Sequence, residues 1–496
     1  MKALKLMELA QLLQQSKLIG SGQVEITGME TDSRKVKQGD LFICLPGALA
    51  DGHDFIDKAL ANGAVAIVAS KPVVPDVPVI LVPDTRLAMA IMADHFFAYP
   101  SRELKIIGIT GTNGKTTTSL LLDSILRDAG HRTDLMGTIA MRIGNHVYEA
   151  KNTTQEALEL QRNLRKMKFG GAEYTVMEVS SHALELGRVK GVRFKTAIFT
   201  NLTQDHLDFH GGMDQYKAAK GLFFSRLGNT YDAQFKVSAI LNADDPASEE
   251  YRRLTAAEVI TYGIDNIADV RAVDITLQAS GTSFTVQSFA GEQVFQLQLI
   301  GKFNVYNALA AITAALVEGI PLSVIANSLA SVKGVNGRFE PVQAGQSFSV
   351  IVDYAHTPDS LENVLSTIQE FVQGKIITVF GCGGDRDRTK RPIMGRIANE
   401  MSDYSIITSD NPRTEQPAAI LSEIEHGIKS KPYGFKSYEI IEDRKLAIEK
   451  AIEIAGPQDV VLIAGKGHET YQEINGIRYD FDDRLVAEAA IRGRQQ

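Results

Sequence analysis

The sequence predicts an α/β fold built from three domains. Three observations support this prediction: the length of 496 residues, the alternation of short apolar runs with helical stretches, and a glycine-rich turn between a strand and a helix. Domains ordinarily contain about 100–200 residues, so a chain of this length favours about three of them. The 44% apolar and 23% charged residues are typical of a globular protein and exclude a mainly disordered, collagen-like or disulfide-scaffold chain.

Charge and cysteine content narrow the classes of protein further. The 52 Lys and Arg against 60 Asp and Glu give a net charge of −8, which argues against a nucleic-acid partner held by bulk charge. The two cysteines, Cys44 and Cys382, lie far apart, which favours a reducing compartment and two core positions. No run approaches the ~18 apolar residues of a membrane span, and Glu8 interrupts any signal-peptide core. We therefore expect a cytoplasmic protein without membrane insertion.

Residues 1–100 are predicted to form a small N-terminal α/β domain. After an amphipathic first helix, apolar runs at 41–45, 64–69 and 79–82 are typical of short strands. A polar stretch around Pro100 is a natural boundary, because few contacts cross such segments.

Residues 101–332 are predicted to form the central domain, which begins with a βαβ pattern. A buried strand at 106–109 is followed by a glycine-rich turn and a helix that ends at Gly130. Further apolar runs end in polar residues, as in a buried, mostly parallel sheet, and lie at 174–179, 195–200 and 237–241. From 268 to 299 apolar and polar residues alternate, which favours an antiparallel ribbon before a helix at 307–318.

Residues 333–496 are predicted to form a second doubly wound, Rossmann-like domain. Its strand-like runs are separated by helical spans and lie at 349–352, 375–380, 404–408 and 460–464. In open α/β sheets, ligands bind at the carboxyl ends of the strands. Chemistry is therefore expected in the polar residues that follow each strand.

The strongest local motif is GITGTNGKTTT, residues 108–118, which follows a strand and opens a helix. In this context the backbone amides of residues 111–115 can cradle a phosphate at the helix N-terminus. Lys115 would neutralise the β- and γ-phosphates, and the Thr116 hydroxyl would face Mg²⁺. Ile109 stands where the usual spacing has a glycine, so this is a variant phosphate loop. An ordinary glycine-rich turn is the alternative, which the Gly-Lys-Thr-Thr run disfavours.

Two other strand ends in the central domain carry polar clusters. Glu178, in VMEVSSH, ends an apolar strand and could hold Mg²⁺ near a nucleotide. TNLTQDHLDFH, residues 200–210, places two Asp and two His within six residues, with no cysteine nearby and no zinc-site spacing. The alternatives are a solvated strand-end carboxylate and ordinary polar loop residues.

Four strand ends in the third domain carry unusual polar loops. VDYAHTPDS contains Asp353, His356 and Asp359. GCGGDRDRTKRP is a basic, glycine-rich loop in an acidic protein, and arginine can grip a carboxylate or phosphate through two parallel hydrogen bonds. SDNPRTE places Arg413 beside a proline-fixed turn, and AGKGHETYQ follows the last strand. Any one loop could be merely solvated, but the four together indicate a binding site.

These motifs, with LNADDP and NGRFE, together resemble the Mur ligase family, the ATP-dependent amino-acid ligases of peptidoglycan precursor synthesis. The resemblance runs from TDSRKVKQGDLF near residue 31 to AGKGHE near residue 465. The N-terminal pattern and DNPR are similar to those of members that add the third stem-peptide residue to UDP-N-acetylmuramoyl-L-alanyl-D-glutamate. The resemblance implies a uridine-binding N-terminal domain, a central P-loop-type ATPase sheet and a C-terminal Rossmann-like domain.

The resemblance also implies a role for each matching residue. ATP would bind the phosphate loop and the domain junction through Gly111, Thr112, Asn113, Gly114, Lys115, Thr116, Thr117, Asn304, Asn307, Arg338 and His356. The UDP-linked substrate would contact Ser33, Thr153, Thr154, Ser181 and Arg188. The incoming amino acid would contact Arg386, Asp410, Asn411, Pro412, Arg413, Gly465 and Glu469. Mg²⁺ would be held by Thr116, Glu178, His206 and Lys220, the last as a carbamate, and the catalytic set would be Lys115, Glu178, His206 and Lys220.

The resemblance implies acyl-phosphate chemistry: ATP activates the D-Glu γ-carboxylate, and the amine of the third amino acid then displaces phosphate. Meso-diaminopimelate carries a far-end carboxylate that L-lysine lacks, and Arg413 with Arg386 supplies cations for it, so meso-2,6-diaminopimelate is expected. An L-lysine-adding ligase of the same family stays open, as does, from another class, a non-catalytic nucleotide-dependent switch. A folylpolyglutamate synthetase lacks this N-terminal domain and the DNPR loop.

Two positions depart from the family's usual motifs. Gln155 replaces the proline of NTTPE, and Asn336 replaces the proline of PGRFE. Both changes loosen a turn without removing a functional group, so activity is expected to survive. We expect a monomer whose partners are small molecules: the UDP-linked dipeptide, meso-diaminopimelate and ATP.

Overall fold

The structure is a computed structural model that describes residues 3–47, 50–150, 152–278, 281–430 and 436–494. Within those ranges, no helix is both long and apolar enough to cross a membrane. Helices and strands alternate along the chain in three successive regions, which confirms the predicted α/β class.

The N-terminal region is built on a small parallel sheet. Its elements are β1 (Leu4–Lys5), α1 (Leu6–Gln11), β2 (Lys17–Ile19), β3 (Glu25–Ile26), β4 (Gly28–Glu30), β5 (Asp40–Ile43), α2 (Ile56–Ala61), β6 (Ala64–Ala69), β7 (Val79–Leu81) and α3 (Thr85–Phe96). The sheet has the order β2-β7-β6-β5-β4, with β4 to β7 parallel and β2 antiparallel to β7. Helix α3 begins where it does because the Asp84 side chain accepts hydrogen bonds from the backbone amides of Arg86 and Leu87.

The central region combines parallel strands with an antiparallel ribbon. Its elements are β8 (Lys105–Thr110), α4 (Lys115–Asp128), β9 (Thr133–Met136), β10 (Ala140–Ile143), β11 (His146–Glu149), α5 (Ala157–Phe169), β12 (Tyr174–Glu178), α6 (Ser181–Glu185), β13 (Phe194–Phe199), α7 (Leu207–His210), α8 (Met213–Ser225), β14 (Ser238–Asn242), α9 (Ala247–Leu254), β15 (Glu258–Gly263), β16 (Val270–Gln278), β17 (Gly281–Ser288), β18 (Gly291–Leu297), α10 (Lys302–Val317) and α11 (Leu322–Ser331). β12 lies parallel between β8 and β9. β16, β17 and β18 pair antiparallel, which confirms the predicted ribbon, and α10 begins at Lys302, five residues before the predicted start.

The C-terminal region is a doubly wound sheet, as predicted. Its elements are β19 (Glu340–Pro341), β20 (Ser349–Asp353), α12 (Pro358–Gln369), β21 (Ile376–Phe380), α13 (Lys390–Met401), β22 (Tyr404–Ile407), α14 (Pro417–Lys429), β23 (Ser437–Ile440), α15 (Arg444–Ile454), β24 (Val460–Ala464), β25 (Tyr471–Ile474), β26 (Ile477–Asp480) and α16 (Asp483–Arg494). The order is β19-β20-β24-β21-β22-β23, with every pairing parallel except β19 with β20. Helices α12 to α14 pack on one cluster of sheet residues and α15 with α16 on the other.

The sequence did not predict the strands with little apolar content. β10 and β11 form a hairpin in which every residue of β11 is exposed, so no apolar run marks it. β23 lies at the edge of its sheet and has no buried residue. Such strands need not be covered on both faces, so a search for continuous apolar runs does not find them.

Two compact units divide the chain. The first comprises Met1–Thr110, Gly130–Ala197 and Leu222–Ser238, and the second comprises Gly111–Ala129, Ile198–Gly221 and Ala239–Gln496. The first unit therefore holds the N-terminal sheet and β9 to β12, and the second holds the phosphate loop and the C-terminal sheet. The domain limits at residues 100 and 332 stay predictions.

Asp94 on α3 is expected to make the stability of the protein depend on pH. The residue is 9% exposed, and its Oδ1 has no hydrogen-bond partner in the described part of the chain. Burial raises the pKa of Asp94 to about 6, against an opposing effect of the Arg102 charge. The folded state therefore binds this proton more tightly than the unfolded state. The resulting stabilisation is complete below the unfolded pKa of about 4 and is lost as the pH rises through about 6.

We expect Asp94→Asn to raise the free energy of unfolding by about 1–3 kcal/mol near pH 7.5 and to leave it nearly unchanged near pH 4, because asparagine cannot ionise. Denaturant unfolding at the two pH values measures this difference. Asp57→Asn, at an exposed position of α2, is the control and should change neither value by more than about 0.5 kcal/mol. An equal gain at both pH values would contradict the titration of Asp94.

Candidate active site

The predicted phosphate loop, residues 111–114, leads directly into α4, whose first residue is Lys115. Gly111 and Gly114 have φ angles of +148° and +86°, which residues with a side chain rarely adopt. A Cβ atom at Gly114 would also collide with the side chain of Asn307. The two glycines therefore allow a tight loop that lies against α10.

Side chains that follow β13 hold the phosphate loop in place. Thr200 Oγ1 donates a hydrogen bond to Asn113 O at 2.6 Å, and Asn113 N donates to Asn201 Oδ1 at 2.9 Å. Lys115 Nζ donates to two carbonyl oxygens of the loop at 2.9 and 2.7 Å. The Lys115 ammonium thus lies over the loop, at the end of α4 where an anion is favoured.

A cavity of about 500 Å³ opens beside the phosphate loop. The predicted nucleotide contacts in its wall are Asn113, Gly114, Thr116, Thr117, Asn307 and Arg338. The Arg338 guanidinium lies 4.5 Å from the centre of the Tyr354 ring, and its buried Nε has no hydrogen-bond partner among the described residues. Asn307 Nδ2 donates to Asn304 Oδ1 at 3.1 Å, which orients both amides. The volume is typical of a small-molecule site.

Lys220 reaches the phosphate loop from α8. Its side chain is 1% exposed, and Nζ donates to Gly111 O at 2.8 Å. Nζ also lies 4.5 Å from the centre of the Tyr216 ring. Burial and the charge of Lys115 lower the pKa of Lys220 well below its usual range. The site therefore favours a neutral amine at this position.

A buried carboxylate, Asp205, connects the two predicted histidines. Its Oδ2 lies 3.2 Å from His206 Nε2 and 3.7 Å from His356 Nε2. Its Oδ1 lies 3.6 Å from Lys390 Nζ. Burial alone would raise the pKa of Asp205, but the interaction with His356 and the charges of Lys390 and His206 hold it well below its usual range. The group is therefore an anion that orients the cationic and imidazole side chains around it.

In the first unit, a second cluster surrounds Glu178, which ends β12 and is buried. Its carboxylate accepts hydrogen bonds from Thr138 N at 2.8 Å and Thr138 Oγ1 at 2.9 Å. Thr154 Oγ1 donates to Glu178 O at 2.9 Å, and Thr153 Oγ1 lies 3.0 Å from Thr138 Oγ1. Arg188 Nη1 donates to Thr154 O at 3.1 Å. The structure thus links four predicted residues and Thr138 in one chain of hydrogen bonds; the four are Thr153, Thr154, Glu178 and Arg188.

The other two predicted substrate contacts of the first unit are also buried. Ser181 begins α6 next to Ser180, whose backbone amide donates to Thr154 Oγ1 at 3.0 Å. α6 therefore begins beside the Glu178 cluster. Ser33 lies three residues after the end of β4, and its backbone oxygen accepts a hydrogen bond from Asn62 Nδ2 at 2.8 Å.

Loops that follow β22 and β24 in the second unit form a polar site around Asn411. Asn411 Oδ1 accepts from Lys466 Nζ at 3.0 Å, and Asn411 Nδ2 donates to Glu469 Oε2 at 2.8 Å. Lys466, which is fully buried, also donates to Glu469 Oε2 at 3.1 Å. Asp410 Oδ1 accepts from Asn411 N at 2.7 Å, and Gly465 lies against Asp410. The site therefore holds two acidic groups and a buried ammonium.

The two predicted recognition arginines flank Gly383. A Cβ atom at Gly383 would lie 2.9 Å from Arg413 Nη1 and 3.8 Å from Arg386 Cγ. Arg413 has a φ angle of +51°, and its Nη1 donates to Gly384 O at 2.7 Å. Pro412 O abuts Gly384, where any side chain would collide, and Arg386 is exposed. The loop thus brings the Arg413 guanidinium to Gly383 and Gly384, whereas Arg386 Nη1 donates to Asp385 O at 2.8 Å.

Three neighbours of the predicted residues were given no role from the sequence. Asp205 was recognised only as one of the two Asp of TNLTQDHLDFH, and Lys466 stands in the quoted motif AGKGHETYQ. Thr138 stands in none of those motifs. Among the described residues, no group of three or more His, Cys, Asp or Glu side chains is placed to hold a metal ion. The residues predicted to hold Mg²⁺ are divided between the units: Glu178 in the first, and Thr116, His206 and Lys220 in the second.

Family models match three stretches of the chain. They are the Mur ligase family catalytic domain at 25–97, the Mur ligase middle domain at 109–315, and the Mur ligase glutamate ligase domain at 337–467. The chain is 52% identical over 491 residues to the UDP-N-acetylmuramoyl-L-alanyl-D-glutamate--2,6-diaminopimelate ligase of Bacillus cereus, with 99% of each chain covered.

Solved structures give the same picture of the fold. A structure of a UDP-N-acetylmuramoyl-L-alanyl-D-glutamate--2,6-diaminopimelate ligase matches with a TM-score of 0.68 and 34% identity, and all of both chains is covered. The MurF ligase of Thermotoga maritima, in complex with ADP, matches with a TM-score of 0.66 and 20% identity over 94% of this chain and 96% of that chain. At that identity the second match shows the fold alone.

Proposed function

This chain belongs to the Mur ligase family, and from that membership we propose that it joins meso-2,6-diaminopimelate to the D-Glu γ-carboxylate of UDP-N-acetylmuramoyl-L-alanyl-D-glutamate, with ATP as co-substrate. The observation that carries the proposal is that the second unit holds two polar sites, one at the phosphate loop and one around Asn411. A nucleotide-dependent switch needs only the first. The full-length similarity to the named ligase of Bacillus cereus supports the reaction.

The reaction needs two steps, because a carboxylate and an amine do not condense unaided in water. In the first, a γ-carboxylate oxygen of D-Glu bonds to the γ-phosphorus of ATP, the bond to the bridging oxygen breaks, and ADP leaves. In the second, the amine bonds to the acyl carbon, phosphate leaves, and the nitrogen loses a proton. The first step brings two anions together, so a cation at the phosphate loop must offset their repulsion. Lys115, above the loop carbonyls, is proposed for that role.

The proposal includes Mg²⁺, which would be held by Thr116, Glu178, His206 and Lys220 as a carbamate. Mg²⁺ prefers oxygen ligands, and this set offers a hydroxyl, a carboxylate and, after CO₂ uptake, a carbamate anion. The buried Lys220, with its lowered pKa, fits that modification because only a neutral amine takes up CO₂. When bound, the metal would offset phosphate charge.

The third amino acid is assigned from the charges of the site around Asn411. Diaminopimelate carries a carboxylate and an ammonium at its far end, whereas L-lysine has only the ammonium there. Glu469 can bind an ammonium, and Arg413 with Arg386 can bind a carboxylate. Cations of this kind favour diaminopimelate, and the L-lysine-adding reaction is the second candidate. We also propose a cytoplasmic monomer with a role in peptidoglycan synthesis, and hence in cell shape and division.

We expect Arg413→Ala to raise the KM for meso-diaminopimelate by roughly 10–150-fold, because a charge-assisted hydrogen bond contributes about 1.5–3 kcal/mol. The KM for ATP should stay within about twofold, since Arg413 is not in the wall of the cavity beside the phosphate loop. Phosphate release with each substrate varied in turn measures both constants. Arg478→Ala, at an arginine 4.1 Å from the Tyr471 ring, is the control. Equal losses for the amino acid and ATP would count against recognition by Arg413.

The experiment that tests the proposed function is phosphate release by the purified chain. The assay mixture contains ATP, Mg²⁺ and UDP-N-acetylmuramoyl-L-alanyl-D-glutamate, with meso-diaminopimelate or L-lysine as the amine. We expect release with diaminopimelate and at most a trace with L-lysine. Phosphate release with L-lysine alone would overturn diaminopimelate as the substrate but support the ligase reaction. Release with neither amino acid would favour the non-catalytic nucleotide-dependent switch.

A further inference from the structure

We propose that a buried ion pair, Arg444 with Asp483, positions the two loops that form the amino-acid site, residues 410–413 and 465–469. Both side chains are fully buried and open to no substrate, so we treat both as positioning residues. The identity of the amino acid rests on the proposed function, whereas the ion pair and its contacts are features of the second unit itself.

The pair is fully enclosed. Arg444 is the first residue of α15 and Asp483 the first of α16, and both side chains are 0% exposed. Arg444 Nε donates to Asp483 Oδ1 at 2.8 Å, and Nη2 donates to Oδ2 at 2.7 Å. Two parallel hydrogen bonds of this kind fix the orientation of the guanidinium plane.

One edge of that plane holds the loop at 465–469. Arg444 Nη2 also donates to Ala464 O at 3.0 Å, and Ala464 is the last residue of β24. Gly465 follows with a φ angle of +118°, so the chain turns sharply at the residue that the arginine anchors. The loop beyond this turn carries Lys466 and Glu469, both of which contact Asn411.

The charge of Arg444 acts on the loop at 410–413. Asp410 is buried, which alone would raise its pKa, but the charges of Lys466 and Arg444 keep that pKa below its usual value. Asp410 therefore stays ionised, and its Oδ1 accepts the hydrogen bond from Asn411 N at 2.7 Å. A Cβ atom at Gly465 would lie 2.6 Å from Asp410 Oδ2, so the two loops meet at this carboxylate. Arg444 thus contacts one loop directly and acts on the other through its charge.

Stability alone is a weak reason for such a pair. Replacing a buried ion pair by apolar residues of similar volume is often neutral or stabilising, because the charges lose their hydration on burial. Arg444 Nη1 is buried without a hydrogen-bond partner among the described residues, which makes burial of this arginine costlier still. What the pair does supply is a fixed guanidinium plane and a cation near Asp410. A positioning role therefore predicts a selective loss of amino-acid binding rather than a general loss of stability.

The test is the double variant Arg444→Met with Asp483→Leu, which removes both charges and keeps side-chain volume. We expect its KM for meso-diaminopimelate to rise at least 10-fold, with the KM values for ATP and the UDP-linked substrate within twofold and cooperative unfolding retained. Arg444→Lys, which keeps the charge, should raise the KM for meso-diaminopimelate by less than half as much on a logarithmic scale. The control is Arg492→Met with Glu488→Leu, an exposed pair four residues apart on α16. All of its constants should stay within twofold.

Equal changes in all three KM values, or unchanged KM values with lowered unfolding stability, would overturn the positioning role. If the double variant does not fold, Asp483→Asn, which keeps the shape and one acceptor, takes its place with the same expected selectivity. Absence of diaminopimelate-dependent phosphate release from the unmodified chain would instead overturn the proposed function. The two failures are therefore distinguished by the unmodified chain.

Discussion

Replacing Lys220 by alanine is expected to lower kcat by at least about 10³-fold while ADP still binds. Lys220 Nζ donates to Gly111 O at 2.8 Å, so the side chain reaches the phosphate loop itself. Burial and the Lys115 charge hold its pKa well below the usual range, which favours the neutral amine. A neutral amine adds to CO₂ and loses a proton to give a carbamate anion, whereas an ammonium has no lone pair for this reaction. Alanine removes that anion and with it a proposed Mg²⁺ ligand.

A short carboxylate should restore part of the lost activity. Formate or acetate can supply the anionic oxygens of a carbamate in the space left by the truncated side chain, and chloride at the same ionic strength should not. Phosphate release in the presence of both other substrates measures the rescue. Lys217→Ala is the matched variant, because Lys217 lies on the same helix and pairs with Glu250 at 2.7 Å. Its kcat should stay within about twofold, since partly exposed ion pairs contribute little.

Two results would contradict the carbamate. One is a Lys220→Ala variant that turns over at close to the rate of the unmodified chain. The other is a complete loss that neither formate nor acetate relieves, which would assign Lys220 to the packing of the phosphate loop. The carbamate can also be tested independently in the chain without substitutions. After ¹³C-bicarbonate treatment and chemical trapping, its intact mass should include the trapped carbamate.

The strands that could be predicted are those buried on both faces and those of the ribbon, in which apolar and polar residues alternate. The runs at 64–69 and 460–464 coincide with β6 and β24, because parallel strands covered on both sides are continuous apolar segments. The hairpin at 140–149 could not be predicted in this way, since its second strand is exposed at every position. That segment is a strand only because it pairs with a neighbouring strand, and local sequence does not show which segments pair.

The same distinction applies to the site. The phosphate loop is contiguous, so its glycines and Lys115 could be recognised within eleven residues. The Asp205 cluster joins residues from 205 to 390, which only the folded chain brings together. The sequence does not show whether a side chain is buried. The burial of Lys220 in the structure therefore adds support to the carbamate, a role that came from family resemblance.

Gln155, one of the two departures from the family's usual motifs, is tied to α5 through its side chain. Where the family usually has proline, Gln155 Oε1 accepts a hydrogen bond from Asn163 Nδ2 at 2.8 Å. Proline restricts a turn through its ring, whereas this side chain ties the turn to α5 by a hydrogen bond. The sequence indicated a looser turn, and it could not have indicated the compensating bond, because the partner lies eight residues away on a helix.

Lys115→Met should lower kcat by at least about 10³-fold, because the step that joins a carboxylate to the γ-phosphate has no other cation on the loop to offset two anions. Methionine keeps the length of the side chain and removes only its charge and donors. Lys115→Arg should recover little of the rate, since a planar guanidinium cannot take the place of an ammonium held by two loop carbonyls at 2.9 and 2.7 Å. Single-turnover formation of ADP in the presence of the UDP-linked substrate isolates this step.

A structural effect of Lys115→Met can be separated from a catalytic one. The variant loses two hydrogen bonds of the loop, which should lower the free energy of unfolding by about 1–3 kcal/mol. That loss cannot account for a 10³-fold drop in kcat if denaturant unfolding shows the variant fully folded at the assay temperature. Lys105→Met, at an exposed lysine that begins β8, is the matched control and should keep kcat within about twofold. A Lys115→Met variant that is folded, binds ADP and still forms acyl phosphate at the normal rate would show that a group other than Lys115 offsets the charge of the transition state.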